Sequence, residues 1–210
     1  MADAAFRRVA AALALCCAAA VPVAAQPDAA TPACEGAVTG GGAPPARWAE
    51  VAEPEARGGR AFTEATRLAV ADRYPVCAFP EPVARDLDVT LRFKPVAGRL
   101  DRAGGVAVRL RDPDTYYVAR ANAAESNVRL YRVTGGRRAQ FAGRETLPIA
   151  VGAWHSLRLR LEGDRFAVWF DGAPMFEARD GRIAGPGRVA LWSIADSHTL
   201  YERPSAEVLR

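Results

Sequence analysis

Two carboxylates, Glu162 and Asp164, interrupt the stretch LRLRLEGDRFAVWFDG that runs from Leu157 to Gly172. A carboxylate pair about 5–5.5 Å apart beside a glycosidic bond would suit hydrolysis with retention. The flanking residues point elsewhere. Leu157, Leu159 and Leu161 share one face, Arg158 and Arg160 the other, and Phe166, Val168 and Phe170 resume the apolar face after a break. Glu162-Gly163-Asp164-Arg165 is therefore expected to be a hairpin bend, and Asp171-Gly172 the next one. A third acid on the following strand is missing, because residue 167 is alanine. The pair should turn the chain rather than catalyse.

The densest polar cluster is RANAAESN, with Arg120, Asn122, Glu125, Ser126 and Asn127. Arg120 and Asn122 share a strand face with Tyr116, and Arg109 on the preceding strand is expected beside them. Amides and guanidinium forks next to an aromatic ring suit sugar hydroxyls. The same residues would equally serve a solvated sheet face whose loop amides cap turns. In LWSIADSH, Val189 and Leu191 face the core, which puts Trp192, Ile194 and Asp196 opposite. Trp192 and Asp196 would make an aromatic platform with a hydrogen-bond acceptor; alternatively Trp192 packs as a second layer. Ligand contact is thus expected of Arg109, Tyr116, Arg120, Asn122, Asn127, Trp192 and Asp196. Were the chain an enzyme, Asp196, Glu125 or His198 would be its acid or base. His155 opens a strand after Trp154 and reads as structural.

No Gly-x-Ser-x-Gly elbow, phosphate loop or His-Glu-x-x-His occurs. Cys–His zinc spacing is absent as well. No cofactor is expected; a structural Ca²⁺ held by loop carboxylates and carbonyls stays open, although no Asp-x-Asp-x-Asp loop announces it.

These residues must be positioned by strands. Short strands are expected at 48–51, 67–71 and 76–79, and DLDVTLRFKPV alternates Leu87, Val89, Leu91 and Phe93 against Asp88, Thr90 and Arg92. GGVAVRLRD sends Val106, Val108 and Leu110 inward and Ala107, Arg109 and Arg111 outward, before a turn at Asp112-Pro113-Asp114. TYYVARAN, NVRLYRV, a Thr134-Gly135-Gly136 turn and RRAQFAG follow. A turn at Gly152 leads to the hairpin described above, then to a strand at 174–178, GRVALWSI and YERPSAEVL. About a dozen short strands, each with one apolar face, give an all-β chain folded as an antiparallel two-sheet β-sandwich.

At the N-terminus Arg7 and Arg8 precede an apolar run from Val9 to Ala20, and Val23-Ala24-Ala25 offers a cleavage site. The run is shorter than the ~20 residues a membrane span needs. We expect a signal peptide at 1–25, a flexible Ala/Pro/Gly-rich arm at 26–47, a sandwich domain at 48–210, and a periplasmic or secreted location. Cys16 and Cys17 leave with the signal. Cys34 and Cys77 remain, and in an oxidising compartment they are expected to pair, the alternative being two unrelated thiols. The formal net charge is +4, with Lys94 the only lysine and the arginines scattered through the strands. Scattered arginine without a basic stripe argues against a nucleic-acid partner.

Trp154-His155-x-Leu157-x-Leu159, the hairpin and VWFDG resemble the concanavalin A-like lectin/glucanase superfamily, laminin G-like modules included. More narrowly, RFKPV, RDPDTYYVARANAAESNVRLYRV and GRVALWSIADS resemble a bacterial exported family described as 3-keto-disaccharide hydrolase-like, or family 16 glycoside hydrolase-like. The resemblance implies a jelly-roll sandwich whose concave sheet binds sugar. Relatives often end in an aromatic followed by two acids, where this chain has Tyr201-Glu202-Arg203. Three functions follow as expectations: an exported, non-catalytic carbohydrate-binding domain first, then a 3-keto-glycoside hydrolase or lyase, then an envelope protein-interaction domain.

Overall fold

Alternation in the long strands lays the frame. In the computed structural model, which describes residues 34–40 and 44–210, fifteen strands and no helix occur among the described residues. They are β1 (Glu35–Thr39), β2 (Trp48–Ala52), β3 (Arg60–Glu64), β4 (Tyr74–Ala84), β5 (Leu87–Ala97), β6 (Ala103–Asp112), β7 (Thr115–Asn122) and β8 (Asn127–Thr134). Then come β9 (Arg137–Arg144), β10 (His155–Glu162), β11 (Arg165–Phe170), β12 (Ala173–Arg179), β13 (Gly187–Trp192), β14 (His198–Tyr201) and β15 (Ser205–Val208). The expected signal peptide, 1–25, and residues 26–33 and 41–43 of the expected arm lie outside the described residues.

Two antiparallel sheets form a sandwich. One runs β1-β4-β13-β6-β7-β8-β9, the other β12-β11-β10-β5-β14-β3-β2 with β15 beside β5. The register matches apolar to apolar: Leu157 faces Leu91, Leu159 faces Val89 and Leu161 faces Leu87. All six are fully buried, against Val106, Val108, Tyr117, Ala119, Leu130 and Leu191 of the first sheet. Burying such a side chain stabilises by about 1.5–3 kcal/mol. A one-residue slip would put every one of them in water.

Three expectations give way. The strand expected at 67–71 does not form. That stretch instead wraps a buried ion pair, in which Arg73 donates to Glu64 at 3.2 Å and the Thr66 and Arg67 amides bind the same carboxylate. The strand nearby is β3, which pairs with β2. Within the expected arm, Glu35–Thr39 forms edge strand β1 along β4, and Cys34 is bridged to Cys77. In β6 the ladder shifts register between Val108 and Asp112, with Arg109 at φ 49°. That bulge moves Leu110 to the outer face with Ala107 and takes Arg109 off it.

Candidate functional site

The outer face of the seven-stranded sheet is apolar too. It carries Tyr74 and Val76 of β4, Ala190 and Trp192 of β13, Ala107 and Leu110 of β6, Tyr116 and Val118 of β7, and Tyr131 and Val133 of β8, all buried. Neighbours in each strand point the other way, into the sandwich, so these side chains form a second layer rather than part of the main core.

The rings in this layer are tightly organised. Tyr74 and Trp192 stack with centroids 5.7 Å apart and planes 16° from parallel. Arg138, opposite Val133 in the β8–β9 ladder, lies over three rings, 4.4 Å from Tyr131, 4.7 Å from Tyr74 and 5.9 Å from Trp192. Gly135 and Gly136, at φ 55° and 74°, make the two-residue turn that folds β9 back so that Arg138 reaches them. Gly105 stands in register between Trp192 and Arg120. A Cβ there would sit 2.7 Å from the Ala119 carbonyl, so no side chain separates the two.

At this end of the sheet an open hollow of about 530 Å³ is lined by Gly40, Asp72, Tyr74, Gly136, Arg137 and Arg138. The Tyr74 hydroxyl donates to Asp72 at 2.8 Å. Arg138 Nη1 is buried without a hydrogen-bond partner. Burial pushes the Tyr74 and Tyr116 hydroxyls up to about 12, even against the pull of the Arg138 charge, so both rings stay neutral. The exposed part of Tyr74, the Arg138 cation and one carboxylate acceptor line the hollow and can together hold a polyhydroxylated ring.

Tyr131 joins this end to a polar one. Arg120 donates to Tyr131 Oη at 3.1 Å, to Asn127 at 2.7 Å and to Glu125 at 2.7 Å. Arg129 and Asn127 also bind Glu125, and both reach Glu145. Burial alone would raise Glu125, but the Arg120 bond and charge outweigh it and hold the carboxyl below its usual range. Asn122 donates to Asp101 at 2.6 Å. Burial raises Asp101, with the Glu125 charge adding to the effect.

The structure thus brings Tyr116 and Trp192 into contact and, on the same face, gathers Arg120 and Asn127. Asn122 lies at the end of β7, against Asp101. Trp192 and Tyr116 are fully buried: Trp192 is the layer beneath Tyr74, as the packing alternative had it. Asp196 sits in a loop and accepts the backbone amides of Arg99, Leu100 and Asp101 at 2.8–3.2 Å. Those bonds overcome its burial and keep it ionised. His198 is half-buried, its pKa lowered by burial and by the Arg67 charge. Arg109 is not beside Tyr116 and Arg120 as expected. It binds the Arg85, Ile183 and Gly163 carbonyls and Asp86 at the end of the sandwich.

Glu162 and Asp164 flank or form the β10–β11 turn, Glu162 paired with Arg160 and Asp164 with Arg179, each bond within 2.8 Å. His155 is a strut between the Ala150 carbonyl and Asp171. No group of three or more His, Cys, Asp or Glu placed to hold a metal occurs among the described residues.

Sequence reasoning missed Tyr74, Asp72, Tyr131 and Arg138. Parity through the Gly135-Gly136 turn already puts Arg138 on the face of Val133 and Tyr131. Nothing local announces that Tyr74, from a strand far away in sequence, stacks on Trp192.

No protein family and no curated protein matches the chain. Solved structures do. Carbohydrate binding module CBM66 from Bacillus subtilis aligns with a TM-score of 0.62 at 19% identity, over 77% of this chain and 91% of that one. A Bacillus subtilis protein of unknown function with a galectin-like fold aligns at 0.50 and 14% identity, over 70% of this chain and 81% of its own. The chain therefore has the two-sheet sandwich fold of these carbohydrate-binding-module and galectin-like structures.

Proposed function

We propose that this chain is an exported carbohydrate-binding β-sandwich that takes its ligand in the hollow between Tyr74, Asp72 and Arg138 and does not hydrolyse it. One observation carries the reading: a guanidinium resting on stacked aromatic rings lines a hollow whose volume lies within the ~300–1,000 Å³ usual for small-ligand sites. The carbohydrate-binding module is a fold neighbour, which agrees with this reading. The N-terminal Arg7-Arg8 and apolar run support export, as does a disulfide, which persists in oxidising compartments. Against either acting as a general acid, Asp196 and Glu125 are both committed to hydrogen bonds that hold their carboxyls below the ordinary range.

A glycan array followed by calorimetry tests this. Binding of at least one saccharide, weakened by Tyr74→Leu and leaving the saccharide intact, supports it. No binding to any saccharide, with capture of an envelope protein instead, overturns it in favour of an interaction domain.

The hydrolytic alternative has one specific observation in its favour. Asp101 is raised while Glu125 is lowered, and opposed shifts in neighbouring carboxyls are what an acid–base pair needs. Turnover of a 3-keto-glycoside that Asp101→Asn abolishes would establish it.

A further inference from the structure

The hollow carries a charge that its own walls leave unanswered. Arg138 contributes a full positive charge, and the three rings beneath it attract that charge without cancelling it. Its buried Nη1 has no acceptor. Leaving such a charged donor unsatisfied costs more than leaving a neutral one. Arg137 adds a second cation to the lining, and Asp72 is the one carboxylate there among the described residues. Asp72 already accepts from the Tyr74 hydroxyl.

Building on the sugar-binding reading, we propose that the ligand is an acidic saccharide, a sugar ring bearing a uronate-type carboxylate that Arg138 receives. A planar carboxylate matches the guanidinium fork with two parallel N–H bonds, which a single hydroxyl does not. The carboxylate answers the charge of Arg138 through the guanidinium edge that lines the hollow. The ring lies against Tyr74, and a hydroxyl donates to the lone pairs that Asp72 has left. Because a site of this kind is partly exposed, its selectivity weakens with salt.

The experiment is calorimetric titration with glucuronate- and galacturonate-containing oligosaccharides, their neutral counterparts, and inorganic sulfate. Native protein should bind an acidic saccharide at least about tenfold more tightly than its neutral partner at low salt. Arg138→Met keeps the apolar stem over the rings and should erase that preference; Arg138→Lys should restore part of it. Arg138→Gln serves the same purpose if the Met variant does not fold, as judged by circular dichroism. Equal affinity for acidic and neutral sugars overturns this inference and leaves the sugar-binding reading standing. No affinity for either removes both. Sulfate binding as tightly as the uronates, and lost in Arg138→Met, overturns it in favour of a plain anion site.

Discussion

The indole Nε1 of Trp192 donates to the hydroxyl of Tyr116 at 3.1 Å, and that hydroxyl also meets Thr39 Oγ1 at 2.6 Å. One buried phenol thus ties β13, β7 and β1 together across the outer face. Trp192→Phe removes the indole donor but keeps a ring to stack on Tyr74. We expect a loss of about 1–2 kcal/mol in urea unfolding with saccharide affinity largely kept. Trp192→Ala empties the layer and should cost about 3–5 kcal/mol and weaken binding as Tyr74 loses its support.

The Glu64–Arg73 pair is fully buried and closes the loop beside Asp72. Burial alone would raise Glu64, yet Arg73, Thr66 and the Arg67 and Arg47 amides outweigh it and leave the carboxyl below its ordinary 4.5. A depressed folded pKa gives stability that is present above the unfolded value and lost as pH falls through the folded one. Thermal melts should therefore fall away below about pH 4.5. Glu64→Gln should cost about 3–5 kcal/mol at neutral pH, because it strands a buried guanidinium, and should flatten the acid limb.

Arg109 satisfies three carbonyls and Asp86 from a position 1% exposed. Arg109→Leu leaves those carbonyls without a donor and should destabilise by about 3 kcal/mol or more in chemical denaturation. Saccharide affinity of the folded fraction should be unchanged, since no atom of Arg109 lines the hollow.

The Cys34–Cys77 bridge closes a loop with a sequence separation of 43 and holds β1 on β4. Reduction, or the Cys34→Ala/Cys77→Ala pair, should cost about 4 kcal/mol by loop entropy. Hydrogen exchange should show the loss first in β1 and in the Thr39 contact to Tyr116.

Asp196 holds three consecutive amides of the loop before β6. Asp196→Asn should lower the melting temperature by a few degrees, in line with loss of about 1–2 kcal/mol, and leave saccharide affinity intact. A selective loss of affinity without loss of stability would return Asp196 to the binding site.

Strand parity made much of this architecture legible. The alternation of Leu87 to Phe93 and of Leu157 to Leu161 fixes which side chains meet, because a pleated strand has a period of two and water penalises the wrong face. The same parity made Glu162 and Asp164 a bend and put Trp192 opposite Leu191. It failed at Arg109 and Leu110, where one left-handed residue in β6 breaks the count, and at 67–71, where a buried ion pair won over local strand propensity.

The sequence by itself determined the class of fold, the positions of most turns and a polar stretch around Arg120, since these depend on neighbours along the chain. Tertiary structure alone decided that Trp192 would be buried beneath Tyr74, that Arg138 would cross three rings, and that Asp72 would complete a hollow with them. Those contacts join strands remote in sequence, and their energies depend on sheet order and on which groups are shut from water, neither of which local periodicity encodes.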